Sequence, residues 1–270
     1  MKITIMTDIE GCAGVMTFAD WGRIDGRYHE RGVEYLTMEV NAAIEGFCAA
    51  GATDITVVDG HGAGAIDSWL LDERAKLSRG WGRPHSFGYE DCADAIAWVG
   101  QHAKSGSIRA HLAHTGSHHV LDQKINGISV GEYGRNAMIA GFFGTPPIFG
   151  AGDQAFTEEV KTLTPWVHTV AVKVGATLTS GDECESEEYY RHNLGAVHLH
   201  PKRARQLIRE GAEKALRDFA ENRDKFPVLR VDPPYTMEVW YRKDGDKPAR
   251  KVVHYHETDI VEMCSDKSIR

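Results

Sequence analysis

The amino-acid sequence predicts an α/β protein: a mostly parallel sheet with flanking helices that carry the functional site, followed by a smaller α+β portion. A strand, a helix and a second strand follow one another within residues 3–58, which is the pattern of a βαβ unit. Further short apolar runs with polar ends continue this order, and parallel strands need such crossovers. Residues 235–255 alternate like a hairpin instead, which predicts the smaller second portion.

The first unit begins with a strand around Ile3 and Ile5. Residues 34–50 carry apolar side chains at helical spacing and stop before a glycine, which suits the end of a helix. The β-branched residues 55–58 predict the next strand, which runs into Asp59-Gly60-His61. Together these segments predict a parallel pair of strands.

The middle of the chain repeats this alternation. Residues 95–100 predict a strand that ends at Gln101-His102. Residues 123–130 predict a hairpin that turns at Asn126-Gly127, the strongest short turn signal in the chain. The sequence predicts three further elements in this region: a helix over residues 136–143 and strands over residues 147–149 and 167–174.

The character of the chain changes after residue 179. Residues 181–190 are acidic and aromatic, which predicts a surface insertion. Residues 201–219 begin with proline and keep apolar residues at helical spacing, which predicts a long helix. We therefore place a domain boundary near residue 180. It separates an α/β metal-binding catalytic domain (1–180) from a smaller α+β C-terminal domain (181–270).

Composition and charge narrow the classes of function. The chain has 270 residues, 42% hydrophobic and 26% charged, as in an ordinary globular protein. Its formal net charge of −8 argues against nucleic-acid binding, and no apolar run approaches the roughly 18 residues of a membrane span. The five cysteines are widely spread without a C-x-x-C pair, and the N-terminus has no secretory pattern. We expect a cytoplasmic protein, with Cys12 as a small buried thiol.

Two carboxylates, those of Asp8 and Glu10, stand at the end of the first strand. If the extended geometry persists, both side chains point to the same side. Two carboxylates this close repel each other unless one binds a proton or a cation lies between them. We interpret the pair as part of a metal site. The alternative is that Asp8 caps the next turn and Glu10 is solvated.

Potential metal ligands follow four short apolar runs: Asp8 and Glu10, then His61, then His102, then Glu132. In open α/β sheets, ligands bind beyond the carboxyl ends of the strands, so these side chains are expected to meet at one edge. When each residue is considered alone, a structural role is an alternative to metal binding. His102 could be a structural histidine, and Glu132 could be a charge favoured by a helix N-terminus.

The types of ligand indicate the metal and the reaction. Imidazoles and carboxylates without a thiolate suit zinc, with manganese, iron or cobalt as alternatives. Five protein ligands exceed what one open catalytic zinc uses, so we predict two ions per chain. Asp8 is the predicted bridge, with Glu10 and His61 completing one ion and His102 and Glu132 completing the other. Such a site polarises a carbonyl and activates a nucleophile near neutral pH, which is the chemistry of hydrolysis.

A proton carrier is expected near this site, and the residues alone leave its identity open. Four histidines lie in a short stretch: His111, His114, His118 and His119. A histidine at position 114 could act as a general acid or base, orient the substrate or attack as a nucleophile. The alternative is a solvated loop histidine.

The ordered set of motifs resembles the M55 metallopeptidases, the D-aminopeptidases of the dipeptide-transport type. The motifs are Asp8-Ile9-Glu10-Gly11, Val58-Asp59-Gly60-His61, Gly100-Gln101-His102-Ala103, Ala113-His114-Thr115 and Val130-Gly131-Glu132-Tyr133-Gly134. The resemblance covers most of the chain.

The resemblance implies a two-zinc centre with Asp8 bridging, and it singles out His114 as the catalytic histidine, proposed in the family as a nucleophile. It also implies an α/β metal-binding domain with a second domain, assembled into a ring-like homo-oligomer. The implied substrates are small peptides or amino-acid amides, cleaved at a free N-terminus and containing D-amino acids.

The sequence is compatible with three functions. The first is the zinc aminopeptidase, in which Asp153 is a candidate for the substrate ammonium by its position alone. The second is a metal-dependent hydrolase of another small amide or ester. The third is a non-catalytic binding or structural protein whose acidic and histidine residues are surface features.

Overall fold

The computed structural model describes residues 1–80 and 85–265. Its strands are β1 (Lys2–Thr7), β2 (Asp54–Asp59), β3 (Ala75–Ser78), β4 (Ala95–Gln101), β5 (Val120–Ile125), β6 (Ile128–Ser129), β7 (Pro147–Asp153), β8 (His168–Gly175), β9 (Ala196–His198), β10 (Tyr235–Tyr241) and β11 (Arg250–His256). Its α-helices are α1 (His29–Ala49), α2 (Glu132–Phe142), α3 (Gln154–Leu163), α4 (Ser186–His192), α5 (Pro201–Glu221) and α6 (Ile260–Ser265).

The main sheet has seven strands in the order β3-β2-β1-β4-β7-β8-β9. All neighbouring pairs are parallel except β8 and β9, which are antiparallel. Helices pack against this sheet, as βαβ crossovers require. The predicted α/β class with a mostly parallel sheet and flanking helices is therefore confirmed. Strand β1 lies between β2 and β4, so the three strands that precede the first four predicted ligands are neighbours.

Two long helices, α1 and α5, cover one face of the sheet and pack on each other. Both bury an apolar stripe, which includes Leu36 and Phe47 on α1 and Ile208 and Phe219 on α5. Close packing is helped by Gly46, since a Cβ there would lie 2.3 Å from the carbonyl oxygen of Arg209. The prediction of a helix over 201–219 is confirmed. Helix α1 begins at His29, five residues before the predicted range, because the polar first turn lacks apolar periodicity.

A second sheet is antiparallel, in the order β11-β10-β5-β6. The predicted hairpin is present, and Asn126 and Gly127 both have positive φ, at 47° and 82°. This sheet combines strands from both sides of residue 180, and β10 pairs with β5 over Met237–Tyr241. The division into domains 1–180 and 181–270 stays a prediction.

The structure differs from the sequence expectations at four places. The run before Glu132 is the antiparallel strand β6, so only three of the four apolar runs belong to the parallel sheet. Strand β1 ends at Thr7, and Asp8 and Glu10 lie in the turn that follows. Strand β3 was not predicted, because it has only four residues and none of them is buried, so its sequence has no clear apolar pattern. Residues 181–190 include part of α4, whose Tyr189 is fully buried.

None of the helices formed by residues 1–80 and 85–265 has the length and apolar character that crossing a bilayer requires.

Candidate metal centre

The turn after β1 is held against the end of β4 by the backbone. The Asp8 amide donates to the Val99 carbonyl at 3.1 Å, and the Gly11 amide donates to the Gly100 carbonyl at 2.7 Å. Gly100 has φ +76°, and a Cβ there would lie 2.0 Å from the Asp8 carbonyl oxygen. A glycine at this position therefore lets the two segments approach and places Asp8 at the carboxyl edge of the sheet.

The Asp8 carboxylate lies between two histidines. Its Oδ1 accepts a hydrogen bond from the Ile9 amide at 2.9 Å and lies 3.0 Å from His61 Nδ1. Its Oδ2 accepts from Gln101 Nε2 at 3.0 Å and lies 3.2 Å from His102 Nε2. Burial raises the pKa of Asp8, but the neighbouring imidazoles of His102 and His61 outweigh it and hold the pKa well below the usual value. One oxygen thus faces each histidine, the arrangement that a bridging carboxylate needs.

The first cluster of potential ligands is Asp8, Glu10 and His61, whose ligand atoms lie within 4.8 Å of one another. His61 Nδ1 is 3.3 Å from Glu10 Oε2, and His61 Nε2 donates to the Gly22 carbonyl at 2.7 Å. The Gly22 contact leaves Nδ1 to face the carboxylates. Although burial lowers the pKa of His61, Glu10 and Asp8 raise it to about 12. The field of the two carboxylates at Nδ1 therefore favours a cation.

The second cluster is His102, His114 and Glu132. His102 Nδ1 donates to the Ala103 carbonyl at 2.9 Å, so Nε2 faces the site and lies 3.6 Å from Glu132 Oε1. Glu132 stands at the first position of α2 and accepts a hydrogen bond from the Gly116 amide at 2.8 Å. Burial raises the pKa of Glu132, but the charge of His102 outweighs it and lowers the pKa to about 2.

Four histidines lie close together in the sequence, at positions 111, 114, 118 and 119. Among the residues that the structure describes, only His114 of these four belongs to a cluster of potential ligands. His114 Nδ1 donates to the Leu112 carbonyl at 2.9 Å, and its Nε2 lies 3.9 Å from Glu132 Oε1. Burial, with the charge of His102, lowers the pKa of His114. The ring is therefore neutral with a lone pair on Nε2 that faces the site. The remaining three lie elsewhere: His111 contacts the Met16 carbonyl, His118 stacks outside His114, and His119 faces Asp244.

The residues present fit a divalent metal. Two buried ligand atoms, Glu10 Oε2 and His102 Nε2, have no hydrogen-bond partner among the described residues. A buried polar atom without a partner is costly, and coordination would satisfy both. The donors are imidazole nitrogens and carboxylate oxygens in two adjacent clusters, which suit zinc, manganese, iron or cobalt. The structure brings all five predicted ligands together.

Sequence reasoning missed the groups that support the ligands. Gln101 orients Asp8, and the carbonyls of Gly22 and Ala103 orient the two histidines. Lys173 on β8 is buried, and its Nζ donates to the Glu10 carbonyl. Burial lowers the pKa of Lys173 to about 8. A lysine inside an apolar strand was the only signal that could have identified it.

The suggestion that Asp153 binds the substrate ammonium is wrong. Its carboxylate is fully buried and does not line the cavity. It caps α3 by accepting from the Phe156 amide at 3.1 Å and also accepts from the His111 amide at 3.2 Å. Asp153 therefore supports the fold around the site.

A cavity of about 1050 Å³ opens onto both clusters. Its inner wall contains Asp8, Glu10, His61, His114 and Glu132. The volume suits a small molecule. Phe18 lines the cavity as well, and its ring packs edge-on against His114 with centroids 6.0 Å apart. The arrangement can therefore hold a small molecule against both ligand clusters and a neutral imidazole.

Comparisons with known proteins relate this chain to described peptidases. The family model of the M55 peptidases, described as D-aminopeptidase, matches residues 1–261. A D-aminopeptidase of Bacillus subtilis (strain 168) is 30% identical over 243 residues, which are 87% of this chain and 78% of that protein. A solved structure, the Zn-dependent D-aminopeptidase DppA from Bacillus subtilis, described as a self-compartmentalizing protease, matches with a TM-score of 0.81 and 24% identity. The match covers 97% of this chain and 94% of that one, and it shows the same fold.

Proposed function

Because this chain belongs to the M55 family of D-aminopeptidases, we propose that it is a zinc-dependent aminopeptidase that cleaves the N-terminal amide of small peptides or amino-acid amides. The substrates we propose contain a D-amino acid at the N-terminus. The observation that carries the proposal is the Asp8 carboxylate, which presents one oxygen to each of two adjacent ligand clusters.

Two zinc ions per chain are part of the proposal. Glu10 and His61 would hold one ion, and His102 and Glu132 would hold the other, with Asp8 shared between them. Three carboxylates offset most of the charge of two divalent ions, which supports this count. Zinc is supported by the donor set and by the description of DppA as Zn-dependent.

When bound, the zinc pair would polarise the scissile carbonyl and make a water molecule more acidic. His114 supplies the mobile proton acceptor at Nε2, because its Nδ1 is held as a donor by the Leu112 carbonyl. From this position Nε2 either removes a proton from the attacking group or attacks the carbonyl itself. Phe18 and His118, packed around His114, shield the imidazole from solvent.

A metal-dependent hydrolase of another small amide or ester is the second candidate, because the same clusters would serve that reaction. A panel of D- and L-aminoacyl amides separates the two, and the absence of a D-preference favours the second. Membership of an enzyme family argues against a non-catalytic binding protein.

The test combines metal analysis with activity. Purified protein should carry close to two zinc ions per chain and release D-Ala from D-Ala-D-Ala, and a chelator should abolish activity until zinc is restored. His61→Ala and His102→Ala should each lose zinc and activity. The matched control is His119→Ala, since His119 is exposed and faces Asp244 instead of the clusters. Full activity in the His61→Ala and His102→Ala variants would refute the site.

The proposal extends to assembly and location. The description of DppA as self-compartmentalizing supports a homo-oligomer, which we propose to be a ring. Several large apolar side chains are exposed in a single chain, among them Trp69 at 91%, and an oligomer interface could cover them. Light scattering measures the subunit number directly. The five cysteines are free, which supports a reducing cytoplasm as the location.

A further inference from the structure

Of the arginines that the structure describes, three line the cavity that holds the ligand clusters: Arg23, Arg79 and Arg135. Two of them are already engaged. Arg23 pairs with Asp25 through two hydrogen bonds, at 2.9 and 3.0 Å. Arg79 donates to the carbonyls of Asp59, His61 and Gly62 and so supports the loop that carries His61.

The third arginine differs from these two. Among residues 1–80 and 85–265, no side chain or carbonyl accepts a hydrogen bond from the Arg135 guanidinium, and its Nε is buried without a partner. Arg135 is half-buried, so water satisfies its charge only in part. A guanidinium is always charged and presents a fork of donors that matches a carboxylate. The structure therefore contains a buried donor in the cavity that lacks its acceptor.

The position of Arg135 connects this donor to the reaction. Arg135 lies three residues after Glu132 on α2, and residues with this spacing share one face of a helix. Both side chains line the same cavity. An anionic group bound at Arg135 would thus belong to a molecule whose other end reaches the ligand clusters.

We propose that Arg135 binds a carboxylate of the substrate, so that this enzyme selects short peptides that bear a free carboxylate near the scissile amide. Arg135 is then a specificity-determining residue, and the inference rests on the proposed peptidase function. The carboxylate has two possible sources: the C-terminus of a dipeptide, or the side chain of an acidic residue after the scissile bond. Both present the same anion to the guanidinium.

The experiment compares pairs of peptides that differ only in one charge. The first pair is D-Ala-D-Ala and its C-terminal amide. The second is D-Ala-D-Glu amide and D-Ala-D-Gln amide. In the unmodified enzyme, kcat/KM for one charged member should exceed that of its neutral partner by about 10- to 100-fold, because the buried Nε of Arg135 is left without an acceptor by the neutral peptide. The pair that shows the preference identifies the source of the carboxylate.

Arg135→Leu should remove this preference by lowering kcat/KM for the charged peptide alone. Arg135→Lys should keep part of it, since an ammonium lacks the fork geometry. Arg23→Gln is the matched control, because Arg23 lines the same cavity but is occupied by Asp25, and its charged-to-neutral ratio should not change. The melting temperature and the zinc content of each variant are measured to show that the variant is folded.

A second measurement needs no turnover. In metal-free protein, both pairs are measured again by their effect on the melting temperature. In the pair that shows the kinetic preference, the charged peptide should raise the melting temperature more than its neutral partner does, and Arg135→Leu should abolish the difference. If neither pair shows a charge preference in either measurement, or if Arg135→Leu affects charged and neutral peptides equally, the inference is overturned. Zinc-loaded enzyme that cleaves none of the peptides, while the charge preference persists in metal-free binding, overturns the proposed function instead.

Discussion

The imidazole rings of His102 and His114 stack with centroids 4.0 Å apart and planes 12° apart. One ring is a predicted ligand and the other is the predicted catalytic residue. Burial first, and then the charge of His102, lowers the pKa of His114. Burial, reinforced by the neighbouring His102, therefore favours a neutral His114 beside the ligand cluster, which is the state a proton acceptor or nucleophile requires.

His114→Gln should separate catalysis from metal binding. Glutamine is similar to the imidazole in size and polarity, but it can neither take up a proton nor attack. We expect zinc content to stay at the level of the unmodified protein, while kcat falls by about 10²- to 10⁴-fold. Metal analysis and steady-state kinetics measure both quantities. Loss of one zinc per chain in this variant would show that His114 is a ligand instead.

Gly100→Ala should displace Asp8. The added Cβ would lie 2.0 Å from the Asp8 carbonyl oxygen, in a backbone with φ +76°. We expect destabilisation by at least about 3 kcal/mol in urea unfolding, together with weaker zinc binding. Gly51→Ala is the control: its φ is +95°, nothing lies within 4 Å of the new Cβ, and the backbone cost alone is about 1 kcal/mol. Equal effects of the two substitutions would contradict the argument.

Lys173→Met should weaken metal binding without removing a ligand. The Lys173 Nζ donates to the carbonyls of Glu10 and Val15 and so fixes the loop that carries Glu10. Groups that orient ligands typically contribute about 10- to 100-fold to metal affinity, and we expect a loss in this range. Competition with a chromophoric chelator measures it. Lys161→Met, at an exposed position on α3, should leave the affinity unchanged; an unchanged affinity in Lys173→Met would argue against the role.

Glu39 should make stability depend on pH. It is buried on α1, where burial raises its pKa from 4.5 to about 7, although its Oε1 accepts from the Ala13 amide. The folded state then holds the proton more tightly than the unfolded state, so the free energy of unfolding falls as pH rises from 4.5 to about 7. The loss is about 3 kcal/mol.

Glu39→Gln should remove this slope, because glutamine does not titrate. Urea unfolding of metal-free protein across this pH range measures the difference between the two proteins, and the use of metal-free protein avoids the pH dependence of ligand binding. Parallel curves for the two proteins would show that Glu39 titrates normally.

The sequence by itself determined the alternation of strands and helices and the chemical type of the donors. These features are local: hydrophobic period, glycine positions and turn residues report on a few neighbouring residues at a time. The positions of Asp8, His61 and His102 followed from this, since each comes within two residues of the end of a strand of the parallel sheet. Glu132 was placed correctly for a partly wrong reason, because β6 belongs to the other sheet and α2 delivers the carboxylate.

Only the tertiary structure decided which groups face one another. Local pattern did not distinguish His114 from three nearby histidines, nor assign one oxygen of Asp8 to each cluster. The local sequence pattern also did not predict that Lys173 lies behind the site or that Arg135 lines the cavity. The physical reason is that these contacts join residues far apart in the chain, and their distances depend on strand order, register and loop conformation, which no short stretch of sequence contains.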